Sequence, residues 1–174
     1  LVEEILDGYG SPLYGPLPVQ AFPHATTTPF DVATASQLLT AAGWEDADGD
    51  GIREKEIDKK NVRLSFTVST SNAPDLVATA RLLQTMWRPL GIEVNLAIFE
   101  IGDFEQNVLR PRRYDAVLFG EVYNYTPDPF AFWHSSQRND PGLNIALYTN
   151  PRADQILEEA RTTIDSEQRR VTYE

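Results

Sequence analysis

A chain of 174 residues, 41% apolar and 24% charged, is long enough to bury a core without staples, since folding at this size removes roughly 70% of the extended chain's surface from water. Its net charge of −11, from 26 acidic and 15 basic side chains, argues against nucleic acid and anionic lipid as partners, because both need a positive protein surface. The absence of cysteine removes disulfide scaffolds, thiol catalysis and Cys-based zinc sites together, and no apolar run approaches the roughly 20 residues of a membrane helix.

Leu1–Leu6 reads as the end of a helix stopped by Asp7-Gly8-Tyr9-Gly10. Pro12, Pro16, Pro18, Pro23 and Pro29 then exclude helix and central strand, so residues 1–30 are expected to be largely an extended Pro-rich segment wrapping the body. Asp31 is placed to cap a helix that runs to Ala42, with Ala35, Leu38, Leu39 and Ala42 facing inward and Gly43 closing it. Leu64–Val68 alternates as a strand does, and 74–90 has helical spacing through Leu76, Ala80, Leu83 and Trp87. Gly91 ends that helix, Ile92–Phe99 reads as a second strand and Asp103–Leu109 as a short helix.

Tyr114–Phe119 reads as a third strand whose apolar run predicts burial on both faces. Strand, helix, strand, helix, strand at these spacings is an α/β layout: a βαβαβ core with a mixed, mostly parallel sheet flanked by helices. An aromatic loop follows from Glu121 to about Tyr148. Pro151–Ser166 then reads as an amphipathic helix with Ile156, Leu157, Ala160 and Ile164 inward. The chain is expected to be one domain cut from something longer, because it opens without a signal sequence and stops inside a helix.

Two segments could carry function. Asp46-Ala47-Asp48-Gly49-Asp50-Gly51 sets three carboxylates at alternate positions before a turn glycine, as in the first half of a calcium loop. The twelfth position is Ile57 where such a loop needs glutamate, so a structural calcium would take Asp46, Asp48, Asp50 and Glu54; the alternative is a solvated Asp/Gly turn, with no cofactor required. The second segment, residues 123–134, begins at the carboxyl end of the third strand, where open α/β sheets place ligands. Tyr123, Asn124, Tyr125 and Trp133 are its candidate ligand contacts, while Phe130 and Phe132 read as anchors to the core. His24 and His134 are isolated, and no G-x-S-x-G elbow or phosphate-cradling loop is present, so no catalytic residues are assigned.

In order, Gly15-Pro16-Leu17-Pro18, Ala41-Ala42-Gly43-Trp44, Asp48-Gly49-Asp50-Gly51-Ile52-Arg53, Leu90-Gly91-Ile92-Glu93-Val94, Tyr114-Asp115-Ala116, Pro127-Asp128-Pro129 with Trp133, then Asn144 and Tyr148, Ala153–Leu157 and Asp165–Tyr173 resemble family 5 extracellular solute-binding proteins. The resemblance implies a type II periplasmic-binding-protein fold, with 1–174 as the second of two lobes that close on a solute and deliver it to an ABC permease. It also adds Asn144 to the ligand contacts. It further implies a non-enzymatic monomer outside the cytoplasmic membrane, in a periplasm or lipid-anchored. The family's peptide binders carry an aspartate after the third strand, and here that place falls on Tyr125 or Asn124. A peptide is the first expectation for the solute and an oligosaccharide or other neutral solute the second; a sensor that kept the fold is the alternative from another class.

Overall fold

The computed structural model describes residues 1–13, 15, 29–122 and 128–173, which form two compact units. The first comprises Leu1–Gly10, Pro29–Val108 and Tyr114–Phe119; the second includes 109–113 and 128–173.

The first unit is built on a parallel sheet. Its strands are β3 (Ser65–Ser71), β4 (Glu93–Phe99) and β5 (Ala116–Leu118), in the order β4-β3-β5. β3 pairs with β4 along its whole length, from Ser65 opposite Glu93 to Ser71 opposite Phe99, and with β5 over three residues only. The end of the central strand is buried yet hydroxylated: Thr70 has no exposed surface, and its hydroxyl donates to the Leu118 carbonyl at 2.8 Å.

Helix α3 (Pro74–Trp87) connects β3 to β4, with proline at its first turn where the missing N–H costs nothing. It lays Ala80 (1% exposed) against the sheet, and Gln84 donates to the Val94 carbonyl at 2.6 Å. Pro89 then breaks the α-helical ladder, so Arg88–Leu90 tightens to a 3₁₀ turn closed by Gly91 at φ +76. Between β4 and β5 lie α4 (Ile101–Phe104) and a π-helical turn, Glu105–Leu109. Phe104 is fully buried between Phe99 and Phe119, at ring distances of 6.1 and 5.6 Å. Its burial stabilises the unit by about 2–3 kcal/mol.

Ahead of the sheet come α1 (Val2–Ile5) and α2 (Val32–Ala41). Asp31 caps α2 by accepting from the amides of Ala33 and Thr34. Bonds from Gly43 to Thr40 and from Trp44 to Leu39 close its other end. The expected inward face of α2 is corrected: Leu38 is 65% exposed and no residue of the helix is buried. β1 (Glu54–Ile57) and β2 (Lys60–Arg63) form an antiparallel hairpin that sequence reading did not foresee. Its two turn residues, Asp58 and Lys59, both take positive φ, the geometry of a two-residue hairpin loop without the usual Asn-Gly signal.

In the second unit, α5 (Phe130–Trp133) and α7 (Ser166–Tyr173) both pack on α6 (Pro151–Thr162). α6 begins at Asn150, which accepts from the amides of Arg152 and Ala153, and buries Leu157 and Ala160. The helix expected over Pro151–Ser166 ends at Thr162, and the late helix implied over Asp165–Tyr173 begins separately at Ser166. Thr163 turns extended, Asp165 caps the next helix through the Gln168 amide, and Ile164 stands 96% exposed rather than inward. Three β-branched residues followed by a good N-cap account for the break. β5 is likewise shorter than expected and half-buried, since among the described residues it has only β3 as a neighbour.

Candidate functional site

Asp46, Asp48 and Asp50 lie on an exposed loop of the first unit, with one carboxylate oxygen from each within 4.8 Å of the others. Each is already engaged. Asp46 accepts from the amides of Gly49 and Gly51, Asp48 from that of Asp50, and Asp50 from that of Ile52. Asp50 also pairs with the Arg63 guanidinium of β2, which holds its carboxyl below the usual carboxylate range. Glu54 does not join them, a correction to the four-ligand expectation. It sits in β1, 6% exposed, with Oε1 accepting from Ala47 and Asp48, so it ties the loop down from beneath.

The carboxyl ends of the parallel strands carry Asn72 after β3, Glu100 after β4 and Phe119 after β5. Asn72 donates its amide hydrogen to the Phe99 carbonyl, and its side chain donates to Glu100 Oε1 at 2.7 Å. Ile101 and Phe119 are 54% and 39% exposed at this end. Sequence reading missed this group; the available signal was the polar residue directly following each of the first two strands.

In the second unit Trp133 meets Tyr148 edge-on at 6.0 Å. Both line a mainly apolar cavity of about 340 Å³, together with Pro129, Ile156, Leu157 and Tyr173. Such walls accept an aliphatic or aromatic group. Burial and the nearby charge of Asp128 push the Tyr173 phenol up. Asp128 pairs with Arg161 Nε at 3.1 Å, and the Arg161 guanidinium lies 4.3 Å from the Phe130 ring centre. Asn144 departs from the expected ligand contact. It is fully buried, its amide donating to the carbonyls of His134 and Tyr148 while its oxygen accepts from Tyr148. The same side chain therefore has no surface to offer a solute, and serves as a bracket within the loop. Tyr123, Asn124 and Tyr125 lie outside the described residues.

His134 is buried, stacked on Phe130 at 4.1 Å, and caps the turn Ser135–Gln137. Because its Nδ1 accepts from the Ser136 amide and lies 2.7 Å from the Ser136 hydroxyl, the ring hydrogen belongs on Nε2, which faces Glu158 at 3.3 Å. The lone pair a general base would use is thus committed to capping.

Residues 1–142 match the family model described as bacterial extracellular solute-binding proteins, family 5 middle. The chain belongs to that family. The chain is also similar to curated proteins. The oligopeptide-binding protein AppA of Bacillus subtilis is 31% identical over 181 residues, 100% of this chain and 32% of its own length. Protein XP55 of Streptomyces lividans is 33% identical over 99% of this chain and 31% of its own. Among solved structures, AppA in complex with a nonapeptide superposes with a TM-score of 0.85 at 32% identity, over 99% of this chain and 34% of that one. NikZ of Campylobacter jejuni in complex with Ni(L-His) gives 0.81 at 28% identity, over 99% and 34%. The chain thus spans about a third of the length of the relatives it matches. Its fold is the α/β, parallel-sheet fold of type II periplasmic binding proteins, and AppA is named as an oligopeptide-binding protein.

Proposed function

We propose that residues 1–174 form one lobe of the substrate-binding component of an ABC importer, which captures a peptide-like solute outside the cytoplasmic membrane and performs no chemistry on it. The observation that carries this reading is the similarity of the whole chain to AppA at 31% identity, a relative named for oligopeptide binding. In this role a monomeric protein closes two lobes on its solute and presents the closed form to a permease. Tyr123, Asn124, Tyr125 and Trp133 contact the solute, with Trp133 offering an apolar wall beside Tyr148. A neutral solute such as an oligosaccharide is the second reading, favoured by the uncharged Tyr125 and Asn124 where the family's peptide binders carry aspartate.

The test is a thermal-shift screen of the full-length protein against peptides, oligosaccharides and metal chelates. A ligand at about 100 times its dissociation constant adds roughly 2.7 kcal/mol of stability. A shift with peptides bears the first reading out, and a shift with oligosaccharides alone replaces it with the second. Silence across all three sets sinks solute capture.

A further inference from the structure

The two nitrogens of the His134 ring face two different parts of the second unit. On one side Nδ1 accepts from the Ser136 amide at 3.1 Å and lies 2.7 Å from the Ser136 hydroxyl. It therefore caps the turn Ser135–Gln137 only while that nitrogen carries no proton. On the other side Nε2 faces α6, with Glu158 Oε1 at 3.3 Å and Asp154 Oδ1 at 3.9 Å. His134 is 7% exposed, and among the described residues its Nε2 makes no hydrogen bond.

A proton on Nδ1 changes both sides at once. The Ser136 amide loses its acceptor, because two N–H groups cannot bond each other, and the new N–H is left the hydroxyl oxygen of Ser136. The ring also gains a full charge opposite the carboxylates of α6. Of these, Asp154 accepts from the Ser135 amide and hydroxyl, and Glu158 is largely exposed. The neighbouring cations are each engaged elsewhere. Arg161 of α6 pairs with Asp128 and lies 4.3 Å from the centre of the Phe130 ring on which His134 stacks, and Arg138 donates to Thr149. Imidazole is the side chain that ordinarily changes charge between about pH 5 and 8.

We propose that His134 is a proton-operated latch: neutral, it closes the turn Ser135–Gln137, and protonated, it releases the Ser136 amide and pairs with Glu158 on α6. The release carries into the following loop. There the Gln137 carbonyl accepts from the Asn144 amide, and Asn144 brackets Tyr148. Outside the cytoplasmic membrane, as proposed above, the lobe meets ambient pH directly, while the latch itself depends on no particular solute.

The experiment is hydrogen exchange of the full-length protein without solute, followed by mass spectrometry between pH 5 and 8, with each rate divided by the intrinsic rate at that pH. In wild type, protection of peptides spanning 134–142 should fall about 3- to 10-fold from pH 8 to pH 5, the loss of one capping bond. Protection of β3 and β4 should stay constant. His134→Asn keeps a capping oxygen that takes no proton, and its protection should be level across the range. Glu158→Gln, at an exposed position, removes the facing anion and should move the wild-type midpoint to lower pH by about half a unit. Level protection in wild type, or an equal fall in His134→Asn, overturns the latch. An unmoved midpoint in Glu158→Gln overturns the pairing with α6, and that comparison alone decides if His134→Asn does not fold.

Discussion

Arg53 and Gly91 approach so closely that a Cβ at position 91 would lie 2.6 Å from Arg53 Cγ and 3.2 Å from its amide nitrogen. The Arg53 amide donates to the Gly91 carbonyl at 2.8 Å, and its guanidinium reaches the carbonyls of Leu90 and Trp44 and the hydroxyls of Thr40 and Ser36. One side chain therefore fastens α2 to the turn that ends α3. Gly91→Ala combines a forced positive φ with this clash and should cost about 2–4 kcal/mol in denaturant unfolding. In an Arg53→Ala background the clash with Cγ is gone, so the two losses should be less than additive. Additive losses would mean that the side-chain contact is not what excludes a Cβ.

Asn144 offers a test that separates framework from ligand contact. With its side chain fully buried and bonded at both ends, Asn144→Ala removes the partner of the Tyr148 amide and carbonyl and leaves the His134 carbonyl with only the Gln137 amide. A stability loss of roughly 2–4 kcal/mol is expected, with solute affinity unchanged at temperatures where the variant is folded. Weakened binding in a variant of unchanged stability would restore it to the list of solute contacts.

The link between Ser135 and Asp154 predicts a pH dependence. The Ser135 hydroxyl, with its backbone amide, holds the Asp154 carboxyl below the usual carboxylate range. A carboxyl lowered in the folded state contributes stability above its unfolded pKa of about 3.9, and that contribution disappears as pH falls through the folded value. Ser135→Ala should therefore cost about 1 kcal/mol at pH 7 and progressively less below pH 4, the variant and wild-type curves converging in acid. Parallel curves down to pH 2 would show that the hydroxyl acts through packing instead.

The acidic loop is expected to hold its shape by its own hydrogen bonds. Because Asp46, Asp48 and Asp50 already accept from backbone amides and Arg63 pairs with Asp50, chelation with EDTA should leave the melting temperature unchanged. A fall of several degrees that calcium reverses, and that Asp46→Asn abolishes, would instead make these three carboxylates structural calcium ligands.

Trp133→Ala should weaken solute binding by about tenfold through loss of the aromatic wall it forms with Tyr148, while adding a modest cost to folding. Calorimetry with whichever solute shifts the melting temperature decides it. Full affinity in the folded variant would leave the cavity a packing defect rather than a contact.

Local chemistry was enough to determine much of this protein. Asp31 and Gly43 mark the ends of α2 because capping needs only neighbouring amides and carbonyls, and Gly91 marks the end of the 3₁₀ turn that follows α3 for the same reason. The three parallel strands follow from apolar runs separated by helical spacing, and the family is legible in the order of short motifs along the chain. The hairpin of Glu54–Ile57 with Lys60–Arg63 was not legible, since both strands are rich in charged residues, lack an apolar alternation and take their shape from pairing with each other. Leu38 and Ile164 fit helical stripes in the sequence, but only the packed structure decides whether a neighbour covers a stripe, and neither is covered. The same holds for function. Sequence could name carboxylates, amides and aromatic rings, whereas burial and bonding partners reassigned Glu54 and Asn144 to the framework and set Asn72 beside Glu100. A side chain's task depends on what surrounds it, and residues 28 positions apart become neighbours only when the sheet forms.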